Sequence, residues 1–269
     1  MNILEIMKTS LIYPTNDLKT YLIFGVICFL ASISSIVKVL TPNYAAVAIA
    51  GIITIIFAII MLGYNLNVTK AGIKKSEELP GLDLKNQFIL GIKAIIVSLI
   101  YYIIPIIITI ILAFVMNIPN RMMELITTVL TQSPNITRSV IESAATTDFF
   151  VALGLFSIIV TILFIIFTFF ALMGSCRLAN TDSIKTAVNF KEAFADLKAI
   201  GILKIIGFVI LLVIILAIIG IVVGFILGLI SSIGVAGVII TSIISGLLVD
   251  SYLNLFDSYA LGLLYSDVE

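Results

Sequence analysis

The fold class this sequence predicts is an all-α polytopic integral membrane protein. It has six transmembrane helices arranged as three helical hairpins, with interfacial amphipathic helices between them. Three observations predict it. Of the 269 residues, 61% are hydrophobic and 11% charged, whereas soluble domains run near ~45–50% apolar and ~25% charged. The apolar residues gather into charge-free runs of bilayer length, about 20 residues as helix. The basic residues gather in alternate connections between those runs.

The elements follow in chain order. Asn2 to Leu11, ahead of Pro14, reads as an amphipathic helix at the headgroups. Glu5 and Asp17 interrupt the N-terminal segment and no small-x-small site follows the first apolar run, so no cleavable signal peptide is expected. Thr20 to Val37 is the first span, and Thr41-Pro42-Asn43 supplies a tight turn. Leu40 to Thr69 holds the second span, centred on Ala45 to Tyr64. Asn65 to Ser76 has helical spacing with basic residues and reads as an in-plane amphipathic helix. Glu77, Glu78 and Asp83 flank Leu79-Pro80-Gly81 as a solvated loop. Ala94 to Asn120 is the third span, with Pro105 in its middle expected to kink it. Ile118 to Asp148 follows, and within it Arg121 to Gln132 spaces Met122, Ile126, Val129 and Leu130 as a cap helix. Phe149 to Cys176 is the fourth span, and Leu178 to Ala195 a second in-plane helix. Ile205 to Val249 then runs 45 residues without a charge. That is too long for one span and right for two, with the break at Ser231-Ser232-Ile233-Gly234.

Orientation follows from Lys and Arg. Twelve of the fifteen basic residues fall in the N-terminus (Lys8, Lys19), the connection after span two (Lys70, Lys74, Lys75, Lys85, Lys93) and the connection after span four (Arg177, Lys185, Lys191, Lys198, Lys204). Lys38, Arg121 and Arg138 fall on the other side. A cell membrane location with both termini cytoplasmic is therefore expected.

An internal repeat underlies the pattern. Asp17-Leu18-Lys19, Asp83-Leu84-Lys85 and Asp196-Leu197-Lys198 each stand before an odd-numbered span. Six residues beyond the lysine come Gly25 and Gly91; the third copy has Gly201 earlier and Lys204 in that place. A single membrane domain, 1–269, then contains pseudo-repeats of about 15–80, 81–193 and 194–266. An acidic residue suits a helix N-terminus, and the lysine two positions on reaches the headgroups. The first reading of Asp17, Asp83 and Asp196 is thus a helix-start anchor. The other is a shared site at a pseudo-threefold axis.

Composition excludes several function classes. Net charge is zero, so there is no basic footprint for nucleic acid. There is no His, the commonest metal ligand and general base. No phosphate loop, His-Glu-x-x-His helix or Gly-x-Ser-x-Gly elbow occurs. No catalytic residue, cofactor or metal site is expected, and Cys28 and Cys176 read as free thiols.

The candidate polar site is Asp250 with Asn254 and Asp257 at i+4 and i+7, beside a stripe of Tyr252 and Tyr259. Facing the bundle it would bind a cation or relay protons, in a mid-membrane cavity shared with Tyr101. Near the headgroups it is a solvated helix end. Lys93, close to the start of helix three, is a further candidate that otherwise snorkels. Gly220, Gly224 and Gly228 form a small-residue ridge, expected to pack within the molecule, with a partner protein or homo-oligomer as the other reading. Asn135-Ile136-Thr137 is an external glycosylation sequon; Asn67-Val68-Thr69 would be cytoplasmic and inert.

These marks resemble a family of archaeal and bacterial membrane proteins, domain of unknown function 4013. They are Pro14 with Asp17, Gly63-Tyr64, Glu78-Leu79-Pro80, and Phe88 with Gly91 and Lys93. Tyr101 or Tyr102 with Pro105, Phe190 with Glu192, and the run Tyr259, Gly262, Tyr265 complete them. Where the family carries Trp after the first Asp, this chain has Leu18 and Leu84, and it has no Trp. The resemblance implies a six-span membrane protein and brings no activity with it.

Overall fold

The computed structural model describes residues 1–132 and 147–268. The Asn135 sequon and Arg138 lie outside the described residues, as do the side chains of Val129 and Leu130. Regular structure among the described residues is all helical. Contacts divide the chain into two units, Met1–Ser98 with Leu172–Glu269, and Leu99–Ala171.

Local chemistry sets most helix starts. Helix α1 (Ile3–Ile12) begins at Asn2, whose Oδ1 accepts the Glu5 N–H at 2.7 Å. Pro14 then forces a 3₁₀ turn, Tyr13–Thr15. Asp17 caps α2 (Leu18–Leu30), accepting from the Lys19 and Thr20 N–H groups at 3.0 and 3.2 Å. After α3 (Ile33–Leu40), Asn43 caps α4 (Tyr44–Ile73) through the Ala45 and Ala46 N–H groups. Asp83 accepts from the Asn86 N–H at 3.2 Å as α5 (Leu84–Val115) begins. The later helices are α6 (Ile118–Gln132), α7 (Thr147–Thr181), the short α8 (Ile184–Ala187), α9 (Phe190–Ile200) and α10 (Ile202–Ser231). Gly234, at φ +101, separates α10 from α11 (Val235–Ile244), within the expected Ser231–Gly234 break. A π-helical turn, Ser245–Asp250, joins α11 to α12 (Ser251–Tyr265).

Among the described residues, five helical stretches are long and apolar enough to cross a membrane: α4, α5, α7, α10 and the run Val235–Tyr265. The pair α2–α3, bent by 50°, makes a sixth if it is one span. Ile52, Ile55, Ile111, Ile162, Ile218 and Phe225 are each more than half exposed. Such faces suit hydrocarbon and not water.

The structure corrects several expectations. The first span, read as one run from Thr20 to Val37, is broken at Ala31–Ser32. Ser32 Oγ bonds back to the Phe29 carbonyl, and Thr54 of α4 accepts the Ser34 N–H freed at the restart. Asn65 to Ser76 is no separate in-plane helix. It continues α4 as far as Ile73, and Leu66, Val68, Thr69, Gly72 and Ile73 are buried there, because this stretch packs against α12. Leu178 to Ala195 is likewise divided: Leu178–Thr181 ends α7, Asp182 turns the chain at φ +55, and α8 and α9 follow. Pro105 stands, as expected, inside one long helix, α5, where it is buried.

Glycine governs the crossings of the first unit. A Cβ at Gly63 would meet the Gln87 carbonyl, and one at Gly91 the Ile59 carbonyl, both under 3.0 Å. Gly72 and Gly262 face the backbones of α12 and α4 in the same reciprocal way, and Gly25 and Gly246 those of the π turn and α2. The Gly220, Gly224 and Gly228 ridge, expected to pack within the molecule, instead faces open space among the described residues: a Cβ at any of the three meets nothing within 4 Å.

The loop after α4 is pinned through its backbone. Tyr13, Asn16 and Tyr64 donate to the carbonyls of Glu78, Glu77 and Pro80 at 3.0–3.1 Å. Tyr13 stacks on Tyr259 at 3.7 Å, and Phe24 on Tyr64 at 4.4 Å. The Glu77, Glu78 and Asp83 side chains are exposed. The second unit is held by the Tyr102 and Thr168 hydroxyls, 3.3 Å apart, and by Arg121 Nη1 donating to the Asp148 carbonyl.

Candidate functional site

The acidic stripe sits where the last helix changes its winding. A π turn widens the backbone and frees carbonyls, and such turns recur at functional positions. Here the freed carbonyls have partners: Tyr21 Oη donates to Leu248 O at 2.6 Å, and Ser251 Oγ to Leu247 O at 2.7 Å. Asp250 closes the turn half-buried, with Ser245 Oγ at 3.4 Å from its carboxylate. Asn254 Nδ2 donates to the Asp250 backbone carbonyl, and Asn254 Oδ1 accepts from Asn65 Nδ2 of α4 at 2.8 Å. Asp257 is met by its neighbour Ser258. Among the described residues no hydrogen bond joins the Asp250, Asn254 and Asp257 side chains to one another. Tyr101 is fully buried in the other unit.

Lys93 does not reach for the headgroups alone. Its Nζ lies 2.7 Å from Asp182 Oδ1 and 3.1 Å from the Asp182 carbonyl. A cation there meets the negative end of the α7 dipole.

The repeated aspartates are not equivalent. Asp17 and Asp83 stand at helix starts, and hydrogen bonds from Thr20 hold the Asp17 carboxyl below the usual carboxylate range. Asp196, read as the third helix-start anchor, lies inside α9 and is buried. The reason is a partner. Arg177 Nη1 sits 2.8 Å from Asp196 Oδ2, and Tyr265 Oη donates to the same oxygen at 2.8 Å. Arg177 also pairs with Glu192 and donates through Nε to the Thr186 carbonyl. This network ties the ends of α7, α9 and α12 together and is absent from the sequence reading. One signal pointed to it: Arg177 is a rare arginine in a lysine-rich chain, and guanidinium is the group suited to buried, multiply bonded pairing.

A second knot joins Lys204 and the Met1 amine to Asp267. Burial pushes the Asp267 carboxyl up, but hydrogen bonds from those two cations outweigh it and hold it low. A cleft of about 380 Å³ opens beside α1, floored by Tyr13 and Tyr259 and walled by Glu5, Lys8 and Glu77. Burial raises the Tyr13 phenol. Among the described residues no three Cys, Asp or Glu side chains gather as a metal site. Both cysteines are free and buried.

Apolar helices of bilayer length, closed off by charged knots at their ends, define the class: a polytopic integral membrane protein. Within that class, the chain belongs to the family described as "Protein of unknown function (DUF4013)", whose model matches residues 46–232. No curated protein and no solved structure matches the chain.

Proposed function

We propose that the chain is a non-enzymatic six-span bundle, with both ends in the cytoplasm, that scaffolds a protein partner or engages lipid through its cytoplasmic end. The observation that carries this reading is the use made of the charges there. Arg177, Glu192 and Asp196 pair together, as do Lys93 with Asp182 and Lys204 with Asp267. Such pairing fixes helix ends and leaves the remaining lysines facing outward. The bundle would be three hairpins entered by Asp-Leu-Lys. In support, Gly25 and Gly91 stand at the same distance beyond the lysine, and both lie at helix crossings.

Topology is tested by single cysteines at Lys75, Lys185 and Asn135, with Cys28 and Cys176 silent through burial. A membrane-impermeant maleimide added to intact cells should label position 135 and spare 75 and 185. Labelling of 75 and 185 alone would reverse the orientation.

A small transporter or channel is the second reading, favoured by Asp250 beside the π turn and by a cleft of about 280 Å³ lined by Ser231, Thr241, Ser242 and Ser245. Proteoliposomes loaded with pH-, Na⁺- and K⁺-sensitive dyes separate the two. The scaffold reading expects leak no greater than in empty vesicles. Cation flux that Asp250→Asn abolishes would replace it with transport.

A further inference from the structure

The segment from Asp182 to Ile200 carries three acidic residues and three lysines, but only the acids are neutralised. Asp182 is paired by Lys93, and Glu192 and Asp196 by Arg177, both cations from outside the segment. Lys185, Lys191 and Lys198 form no ion pair among the described residues, and all three are exposed. The segment therefore presents three uncompensated positive charges.

Their arrangement is directional. Ala193, Asp196, Leu197 and Ile200 bury one face of α9. Lys191, Phe194 and Lys198, spaced i, i+3 and i+7, share the opposite face. Phe194 is 44% exposed, and Lys198 Nζ stands 4.5 Å from its ring centroid. Gly201, at φ +94, then breaks the helix, and α10 opens with Ile202 and Leu203, 51% and 85% exposed. An apolar collar thus begins within one turn of Lys198. An aromatic ring flanked by cations just outside such a collar has the chemistry of the headgroup layer.

Resting on the lipid arm of the reading above, we infer that the exposed face of α8 and α9 is a docking surface for anionic phospholipid headgroups of the leaflet where these helices lie. Charge complementarity carries it: three unpaired lysines, with every carboxylate of the segment already engaged. Arg177 holds α9 from behind, so the face is presented by a fixed helix.

The absence of tryptophan gives a clean test. Phe194→Trp in the full chain places one reporter on the face. The variant is reconstituted in phosphatidylcholine vesicles containing brominated phosphatidylglycerol or, at the same mole fraction, brominated phosphatidylcholine. Quenching by the anionic lipid should dominate, with each lysine worth roughly a five-fold preference. Replacing Lys185, Lys191 and Lys198 by Gln should bring the two lipids level, and Arg at the same positions should restore the difference. Equal quenching before any lysine is changed would overturn the inference and leave the scaffold reading standing. Loss of the preference on adding inorganic phosphate, but not on adding chloride at the same ionic strength, would assign the face to a soluble anion and overturn it as well. Quenching by neither lipid would remove α9 from the bilayer surface, overturning both the inference and the lipid arm of the reading.

Discussion

Gly262→Val should leave little folded protein. A Cβ at Gly262 meets the Thr69 carbonyl oxygen and the backbone of Gly72 at under or about 3.0 Å. Those are main-chain atoms inside α4, and a helix cannot swing a carbonyl aside as a side chain swings away. The two helices would have to separate, undoing an extensive interhelical contact of the first unit. Overpacking of a core ordinarily costs about 1–3 kcal/mol. Here the obstacle is backbone on both sides, so the cost should reach or exceed the top of that range. Thermal melting in detergent and the monodisperse fraction on size exclusion measure it. Gly224→Val is the matched control, because a Cβ there meets open space. Its melting point should stay near the parent's. Equal behaviour of the two variants would show that the α4–α12 crossing is not as close as described.

Arg177→Ala should rank next, through charge and not through volume. The Arg177 side chain is 14% exposed and that of Asp196 7%. Removing the guanidinium leaves a carboxylate buried with Tyr265 as its remaining donor. Breaking a buried pair from one side typically costs about 3–5 kcal/mol, more than the pair itself contributes, because the survivor is uncompensated. Asp196→Asn in the Arg177→Ala background should therefore recover part of the loss. Arg177→Lys should fall between, since an ammonium cannot reach Asp196, Glu192 and the Thr186 carbonyl in the geometry of the planar fork. A double-mutant cycle in detergent with no coupling between positions 177 and 196 would refute this account.

The features legible in the sequence were those that depend on composition along one helix. Charge-free runs gave the apolar helices, and Asp17 and Asp83 announced helix starts because capping is local; Asn43, read only as part of a tight turn, caps α4 for the same reason. The Gly234 break was legible because the apolar run was too long for one span. Features made by two distant segments were not legible. Asp196 repeats the tripeptide of Asp17, yet its neighbours in space are Arg177 and Tyr265, which no local pattern reports. Asn65 to Ile73 has amphipathic spacing, and the partner that buries it, α12, comes at the far end of the chain. The bend after Leu30 contains neither Pro nor Gly, so nothing local marked it. The glycine ridge on α10 is conspicuous by period, whereas the glycines that touch backbone are scattered. Asp250 was noticed as a charge in an apolar run, but its π turn is invisible to a count of residues per turn.

The α4–α12 crossing also dictates the order in which this protein can be finished. Asn65 and Asn254, hydrogen-bonded across that seam, lie 189 residues apart. At about 5–20 residues per second, the ribosome needs roughly 10–40 s to travel from one to the other. Throughout that interval the Asn65 amide and the Gly72 face of α4 are without the α12 residues that cover them. The helix that covers them, α12, follows every other described helix in chain order. The seam therefore closes late, as a latch does, and not as α4 is made. A chain stalled before α12 leaves that polar seam open.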